Sequence, residues 1–438
     1  MGNTVALGQA GVLPVQDRMA PLQVFAVAVC VFINGLDGFD VLAVAFTAPA
    51  IARDWHLSPV ALGSLFSAGL IGMSVGAFFL SPLGDRIGRR NTILVCLGIL
   101  GTGMLLSAVV GSLWQLWALR CFTGLGIGGM LASINTVTAE YASPRRRDLC
   151  IALMSLGYPI GATLGGGVAA FLIAQQGWRS VYAFGGALAL VLVPVVLFGL
   201  PESLDFLLVR QPRGALARAN RILNRLGREP LAALPLQPAL AERRGSLAAV
   251  LAPDRRADAA LICLAYFGTM LAMYFVLSWT PKLLVELGFS DAAGISGSML
   301  MNLGGIAGCL LLGLSTNRFG LRRLSVLIML GLFVGLVFFG IVPAQASLLL
   351  VAVVVLGFCM YGCIAALYAM VPVVFPVEGR TTGTGLALGV GRLGAITGPY
   401  LAGILIAAGW SRASYCLALA LPMLAAAAAT WKLKSLQG

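Results

Sequence analysis

The sequence predicts an all-α polytopic membrane protein whose twelve transmembrane helices form two six-helix repeats. Three observations carry this. Of 438 residues 59% are hydrophobic and only 10% charged, with a mean hydropathy of +0.96, which is too apolar for a soluble globular chain of this length. Runs long enough to cross a hydrocarbon core of about 30 Å can be read twelve times. Short motifs also recur at one offset of 232: Asp85-Arg86-Ile87-Gly88-Arg89-Arg90 returns as Asn317-Arg318-Phe319-Gly320-Leu321-Arg322, Gly177-Trp178 as Gly409-Trp410, and Pro144 as Pro376. A constant offset at three places argues for duplication of a six-span unit.

Taken in order, residues 1–21 read as a tail and 22–200 as the first bundle, with spans at 22–50, 59–80, 91–112, 116–139, 149–174 and 181–200. The first run carries Asp37 and Asp40, is too long for a signal-peptide core and has no Ala-x-Ala site, so it is expected to be a true span. Residues 201–258 form a linker rich in arginine and proline. Within it Gly214 to Arg228 suits a basic surface helix, read as solvated chain drawn to anionic lipid. The second bundle, 259–431, holds spans at 259–279, 292–314, 324–342, 346–371, 383–408 and 413–431, and 432–438 form a second tail. With the N-terminus inside, twenty-three Lys and Arg fall on the cytoplasmic side and four (Arg53, Arg179, Lys282, Arg412) on the other. This bias predicts both termini in the cytoplasm.

Charge and composition exclude several function classes. The net charge of +13 comes from short clusters between apolar runs, so membrane topology accounts for it and a nucleic-acid partner is not expected. Nine scattered cysteines without a Cys-x-x-Cys pair read as small core residues, and the single histidine, His56, sits in a loop with no second ligand. No metal, cofactor, nucleophile–base pair or phosphate loop is visible, so enzyme activity is not expected.

The chemistry concentrates in Asn34-Gly35-Leu36-Asp37-Gly38-Phe39-Asp40. An ionised side chain at mid-bilayer costs roughly 2.5–3.5 kcal/mol on insertion scales, so two carboxylates in one span need a reason. Three residues apart, they share a helix face, cannot both ionise cheaply, and are expected to hold a proton between them. Arg120 and Arg392 are the only basic residues inside the spans. Each needs a carboxylate, a carbonyl or a ligand: either both hold helices together through Asp37, Asp40 or Glu140, or one forks onto a substrate carboxylate. Arg392 is the favoured substrate ligand because it lies in the half opposite the acids. Asn34, Asn135, Tyr158, Tyr274, Asn302, Tyr361 and Tyr368 are polar groups in spans, serving as interhelical glue or reading a substrate hydroxyl. Phe39, Tyr158 and Trp279 either stack on a substrate ring or pack in the core.

Ser81-Pro82-Leu83-Gly84-Asp85-Arg86-Ile87-Gly88-Arg89-Arg90 resembles the loop signature of the major facilitator superfamily, with Ser81 where glycine is usual. Arg120-Cys121-Phe122-Thr123-Gly124 is similar to its second signature, and Pro201-Glu202-Ser203 to the one that ends the first half in its sugar and organic-acid branches. Asp37-Gly38-Phe39-Asp40, with Gly389-Val390-Gly391-Arg392-Leu393-Gly394-Ala395-Ile396 and Gly398-Pro399, resembles the aromatic acid:proton symporters of that superfamily. The resemblance implies the major facilitator fold, proton coupling at Asp37 and Asp40, and a cytoplasmic latch at Asp85, Arg86, Arg89, Arg90, Glu140 and Arg318. Arg86, Arg89 and Arg90 also read as topology anchors, whereas Asp85 among them is better explained by a latch, since an acid weakens a positive cluster unless it pairs.

These observations together predict a monomeric importer in a bacterial-type inner membrane, carrying a small organic acid, an aromatic carboxylate such as a benzoate or hydroxybenzoate, together with protons. Its expected partners are that acid, protons and the bilayer. A proton-driven exporter of the same superfamily is the second reading, prompted by the glycine-rich fifth span, and a membrane-bound enzyme or sensor the third.

Overall fold

In the computed structural model, which describes residues 19–235, 255–375, 380–433 and 435, twelve long helices account for the spans. The first six are α1 (Pro21–Asp54), α2 (Pro59–Phe79), α3 (Arg89–Ser107), α4 (Leu113–Tyr141), α5 (Arg147–Gln176) and α6 (Arg179–Gly199). The second six are α7 (Arg256–Glu286), α8 (Asp291–Phe319), α9 (Leu321–Ile341), α10 (Ala346–Val374), α11 (Arg380–Ala407) and α12 (Arg412–Lys432). Each is long and apolar enough to cross a bilayer.

The duplication read from the offset is visible in both packing and backbone. In the first half α1 packs on α5, α2 on α4 and α3 on α6; in the second α7 packs on α11, α8 on α10 and α9 on α12. Gly88 and Gly320 open α3 and α9 at φ of 99° and 81°, and Gly177 and Gly409 precede α6 and α12 at 80° and 79°. Positive φ is easy only for glycine, so the same residue recurs at both copies of each turn. The halves meet mainly through α2 on α11, α5 on α8 and α1 on α7.

Several boundaries run past the apolar stretches, because a helix ends where its backbone is interrupted and not where the hydrocarbon stops. α1 continues to Asp54 and ends just before His56, exposed and left-handed at φ 48°. α7 continues to Glu286, so Lys282, expected in a loop, lies in its last turns and pairs with Glu286 at 3.0 Å. Ser58, Ser290 and Ser411 cap α2, α8 and α12 by accepting the N–H of the third residue on.

The described part of the linker is not solvated chain. Helices Leu204–Arg210 and Ala215–Arg225 bury Phe206, Leu207 and Leu208, and Ala215, Ala219, Ile222 and Leu223. An amphipathic segment beside a protein surface lowers its free energy by burying its apolar face there. Residues 236–254, the tail residues 1–18, Pro376 and the side chains of Pro144, Asn317 and Arg380 lie outside the described residues.

Candidate functional site

α1 lies at the centre of the first half, held there by backbone-to-backbone contact with α5. A Cβ on Gly38 would collide with the main chain of Tyr158, and one on Gly161 with that of Gly35, so glycine at these positions allows the close crossing. Asn34 donates its side-chain Nδ2–H to Met154 O at 2.6 Å across the same crossing. Its amide therefore serves helix packing and not, with that group, a substrate. Phe39, expected near a substrate ring, points into the bundle: it fills notches at Gly165 and Gly185 and meets Phe184 edge-on at 6.1 Å.

The two acids have different surroundings. Arg120 of α4 donates Nη1–H to Asp40 Oδ1 at 2.7 Å, and Nη2–H to Asp40 Oδ2 at 3.1 Å and to its main-chain oxygen at 2.9 Å. The side chains are 2% and 0% exposed. This bidentate fork compensates Asp40 and occupies both terminal nitrogens of Arg120. Arg120, left open by the sequence as a substrate ligand, is therefore committed to Asp40, and Asp40 is tied to a cation as well as lying near Asp37. Asp37 is 1% exposed and neither of its carboxyl oxygens has a hydrogen-bond partner among the described residues. Cys96 of α3 and Tyr158 of α5 are within its electrostatic range.

Across the interface, Arg392 of α11 is half-buried and lies within electrostatic range of Tyr274 on α7 and Tyr368 on α10. No carboxylate pairs with it among the described residues. Tyr361 of α10 donates its hydroxyl to Asn302 Oδ1 at 2.6 Å, and Asn302 Nδ2–H goes to Ser298 O at 2.9 Å. Tyr158 joins the halves, with Asp37 and Asp40 in range on its own side and Tyr274 and Tyr361 on the other. The result is a polar seam between the halves: among the described residues, an acid without a partner at one end, an arginine without a counter-ion at the other, and tyrosine hydroxyls between.

The loop-side residues form a cluster inside the first half. Asp85 pairs with Arg89 at 2.6 Å, and Arg89 donates to Gly84 O at 3.0 Å. The main-chain N–H of Arg90 goes to Glu202 Oε1 at 3.1 Å, and its guanidinium reaches Val196 O and Leu197 O. Glu140 lies in the field of Arg89, Asp205 and Glu202. Burial pushes the Asp205 carboxyl above its ordinary range, while Arg89 and Arg147 pull it back. Arg86 is exposed, and Arg318 is exposed with its guanidinium 5.5 Å from the Phe319 ring. These loop-side contacts stay within one half. Contacts between halves lie toward the opposite face: Ser67 donates to Ile396 O at 2.7 Å, Phe66 meets Trp279 at 5.4 Å, and Arg53 forks onto Asp291. Trp279, another of the three expected ring-stackers, is a strut here, donating to Pro399 O at 3.0 Å. The sequence reading missed Arg53–Asp291, Glu202 and Asp205 as partners. The only local signal was Glu202 in Pro201-Glu202-Ser203 and an acid in the first turn of α8.

Comparison with known proteins agrees with this architecture. The family model of the Major Facilitator Superfamily matches residues 27–347 and 310–436. The chain is 35% identical to the 4-hydroxybenzoate transporter PcaK of Pseudomonas aeruginosa, over 94% of this chain and 92% of the relative. It is 34% identical to the gallate transporter of Pseudomonas putida, again over 94% and 92%. It is 32% identical to the 3-(3-hydroxy-phenyl)propionate transporter of Escherichia coli, over 87% of each chain. Among solved structures, the inward-open xylose transporter XylE of E. coli superposes with a TM-score of 0.72 at 17% identity, covering 93% of this chain and 95% of that one. The nucleoside transporter NupG gives 0.71 at 14% identity, covering 94% and 100%. With twelve apolar helices, paired six-helix repeats and these relatives, the chain belongs to the major facilitator superfamily and, within it, to the aromatic acid transporters, which are multi-pass membrane carriers and not enzymes.

Proposed function

We propose that this chain is a proton-coupled importer of a small aromatic carboxylate that works by alternating access, as a monomer, in an inner membrane with its basic face in the cytoplasm. One observation carries the reading: the acids lie in one half and Arg392, without a counter-ion among the described residues, in the other, so a bound anion bridges the two bodies that must move. Relatives named as transporters of 4-hydroxybenzoate, gallate and 3-(3-hydroxy-phenyl)propionate share a carboxylate on a hydroxylated ring. That chemistry suits a guanidinium fork with tyrosines beside it.

Coupling follows from electrostatics. An ionised Asp37 has no partner to compensate it, so a second negative charge at the seam is disfavoured. A proton on Asp37 removes that repulsion and lets Arg392 take the carboxylate. Moving one negative charge inward against 100 mV costs about 2.3 kcal/mol. One proton carried with it cancels that cost and leaves the pH gradient as the driving force. The exporter reading suits a cation or a lipophilic drug, which the unpaired Arg392 does not favour. The positive-inside bias and the closed contacts between halves on the opposite face support an inward-facing state.

The test is uptake of labelled 4-hydroxybenzoate into proteoliposomes under an imposed pH gradient, with the amide of the same acid as competitor. Accumulation should follow the gradient and the amide should not compete. Uptake indifferent to the gradient, or an amide competing as well as the acid, would overturn the reading.

A further inference from the structure

We infer that Tyr361, oriented by Asn302, is the subsite that reads a ring hydroxyl on the transported acid; the inference rests on the aromatic-carboxylate reading above. A chain of hydrogen bonds sets its direction. Asn302 donates Nδ2–H to the main-chain oxygen of Ser298 at 2.9 Å, one turn earlier on α8, which turns its Oδ1 toward α10. Tyr361 donates its only hydroxyl proton to that oxygen at 2.6 Å.

A tyrosine hydroxyl has one donor and two acceptor positions, so Tyr361 is left with accepting capacity alone. It can receive an O–H from a ligand but can donate nothing to a carboxylate. Arg392 is the converse, a donor that cannot accept. Tyr274 is within electrostatic range of both. A hydroxylated aromatic acid presents a carboxylate at one end and a phenolic donor on the ring, and two such unlike subsites orient it in one direction only.

Two further features favour a ligand over simple helix glue. The Tyr361 ring lies against Gly305, where any Cβ would collide with it, so the ring is held in place with its hydroxyl within electrostatic range of Tyr158 across the seam. Ser298 Oγ, fully buried one turn from Asn302, has no partner among the described residues. The donor chain that runs from Tyr361 through Asn302 to Ser298 O polarises the Tyr361 oxygen and makes it a better acceptor.

The test measures equilibrium binding of 4-hydroxybenzoate, 4-methoxybenzoate and benzoate to the purified full-length protein and to Tyr361→Phe. The methoxy compound keeps the oxygen and loses the donor, so the parent should prefer the hydroxy acid over both comparators. In Tyr361→Phe the preference for hydroxy over unsubstituted acid should fall about tenfold, the worth of one good hydrogen bond. An unchanged ratio in Tyr361→Phe overturns the subsite, and so does an equal loss of all three acids, which would make Tyr361 a strut. A parent that binds none of the acids defeats the aromatic-carboxylate reading itself. A parent that binds all three alike defeats only the subsite.

Discussion

Arg120 in the first half and Arg392 in the second are the two basic residues inside the apolar spans, and they differ in what surrounds them. Arg120 is 2% exposed with both terminal nitrogens on Asp40. Arg392 is half-buried with tyrosines in range and no carboxylate paired to it among the described residues. A buried charge that is fully paired is part of the scaffold, because breaking it strands its partner in a low dielectric. A charge left open beside an interface is available to a ligand. The same residue type thus meets two environments, and the local partner decides which job each is free to take.

The comparison breaks most readily at Arg120. Arg120→Ala strands Asp40 and should cost roughly 3–5 kcal/mol of stability, seen as a large fall in the thermal unfolding midpoint in detergent. Arg120→Met with Asp40→Leu should recover much of it, since neither charge then remains. A single variant as stable as the parent would remove the scaffold role.

Arg392→Lys should show the reverse pattern. It keeps the charge and loses the planar fork, so substrate binding should weaken roughly ten- to a hundredfold, the worth of a charged hydrogen bond of about 1.5–3 kcal/mol. Its unfolding midpoint should move far less than that of Arg120→Ala. Isothermal titration with the carboxylate substrate reads the first effect; parental affinity would withdraw the substrate role.

Asp37→Asn sharpens the difference between the acids, for the amide resembles the protonated carboxyl in shape and charge. Substrate exchange should persist while gradient-driven accumulation disappears. In the parent, binding should weaken as pH rises and Asp37 loses its proton; in the variant it should stay flat. A variant that still accumulates substrate against the gradient would transfer coupling to another group.

The smallest effect is expected on the face opposite the basic loops, the outer one in the proposed orientation. Arg53 and Asp291 form an exposed fork between the halves, with side chains 58% and 24% exposed, a pair worth about 0–1 kcal/mol. Arg53→Gln should shift the population modestly toward outward-open and change the maximal rate only a few-fold, with substrate affinity nearly unaltered. Labelling of a cysteine placed in the outer vestibule measures the shift. Unchanged accessibility would reduce the pair to a surface contact.

Much of this protein was legible in the amino-acid sequence because the bilayer imposes one-dimensional rules. Span number follows from apolar run length, and the expected orientation from where Lys and Arg fall. The duplication is visible in turns such as Gly88/Gly320, where a backbone needing positive φ retains its glycine. Asp37, Asp40, Arg120 and Arg392 stand out because charge in an apolar span is costly wherever it points.

What each of them touches is a three-dimensional matter. Spacing puts Asp37 and Asp40 on one face, yet only the approach of α4 gives Asp40 a guanidinium and leaves Asp37 without a partner among the described residues. Phe39 looked available to a ligand until the notches at Gly165 and Gly185 received its ring. Arg53 and Asp291 meet although 238 positions separate them, and the linker helices are docked although their composition reads as solvated. Helical periodicity says which residues share a face; only the packing of distant helices says what that face meets, and in a low dielectric the partner determines whether a charge holds the scaffold, carries a proton or binds a substrate.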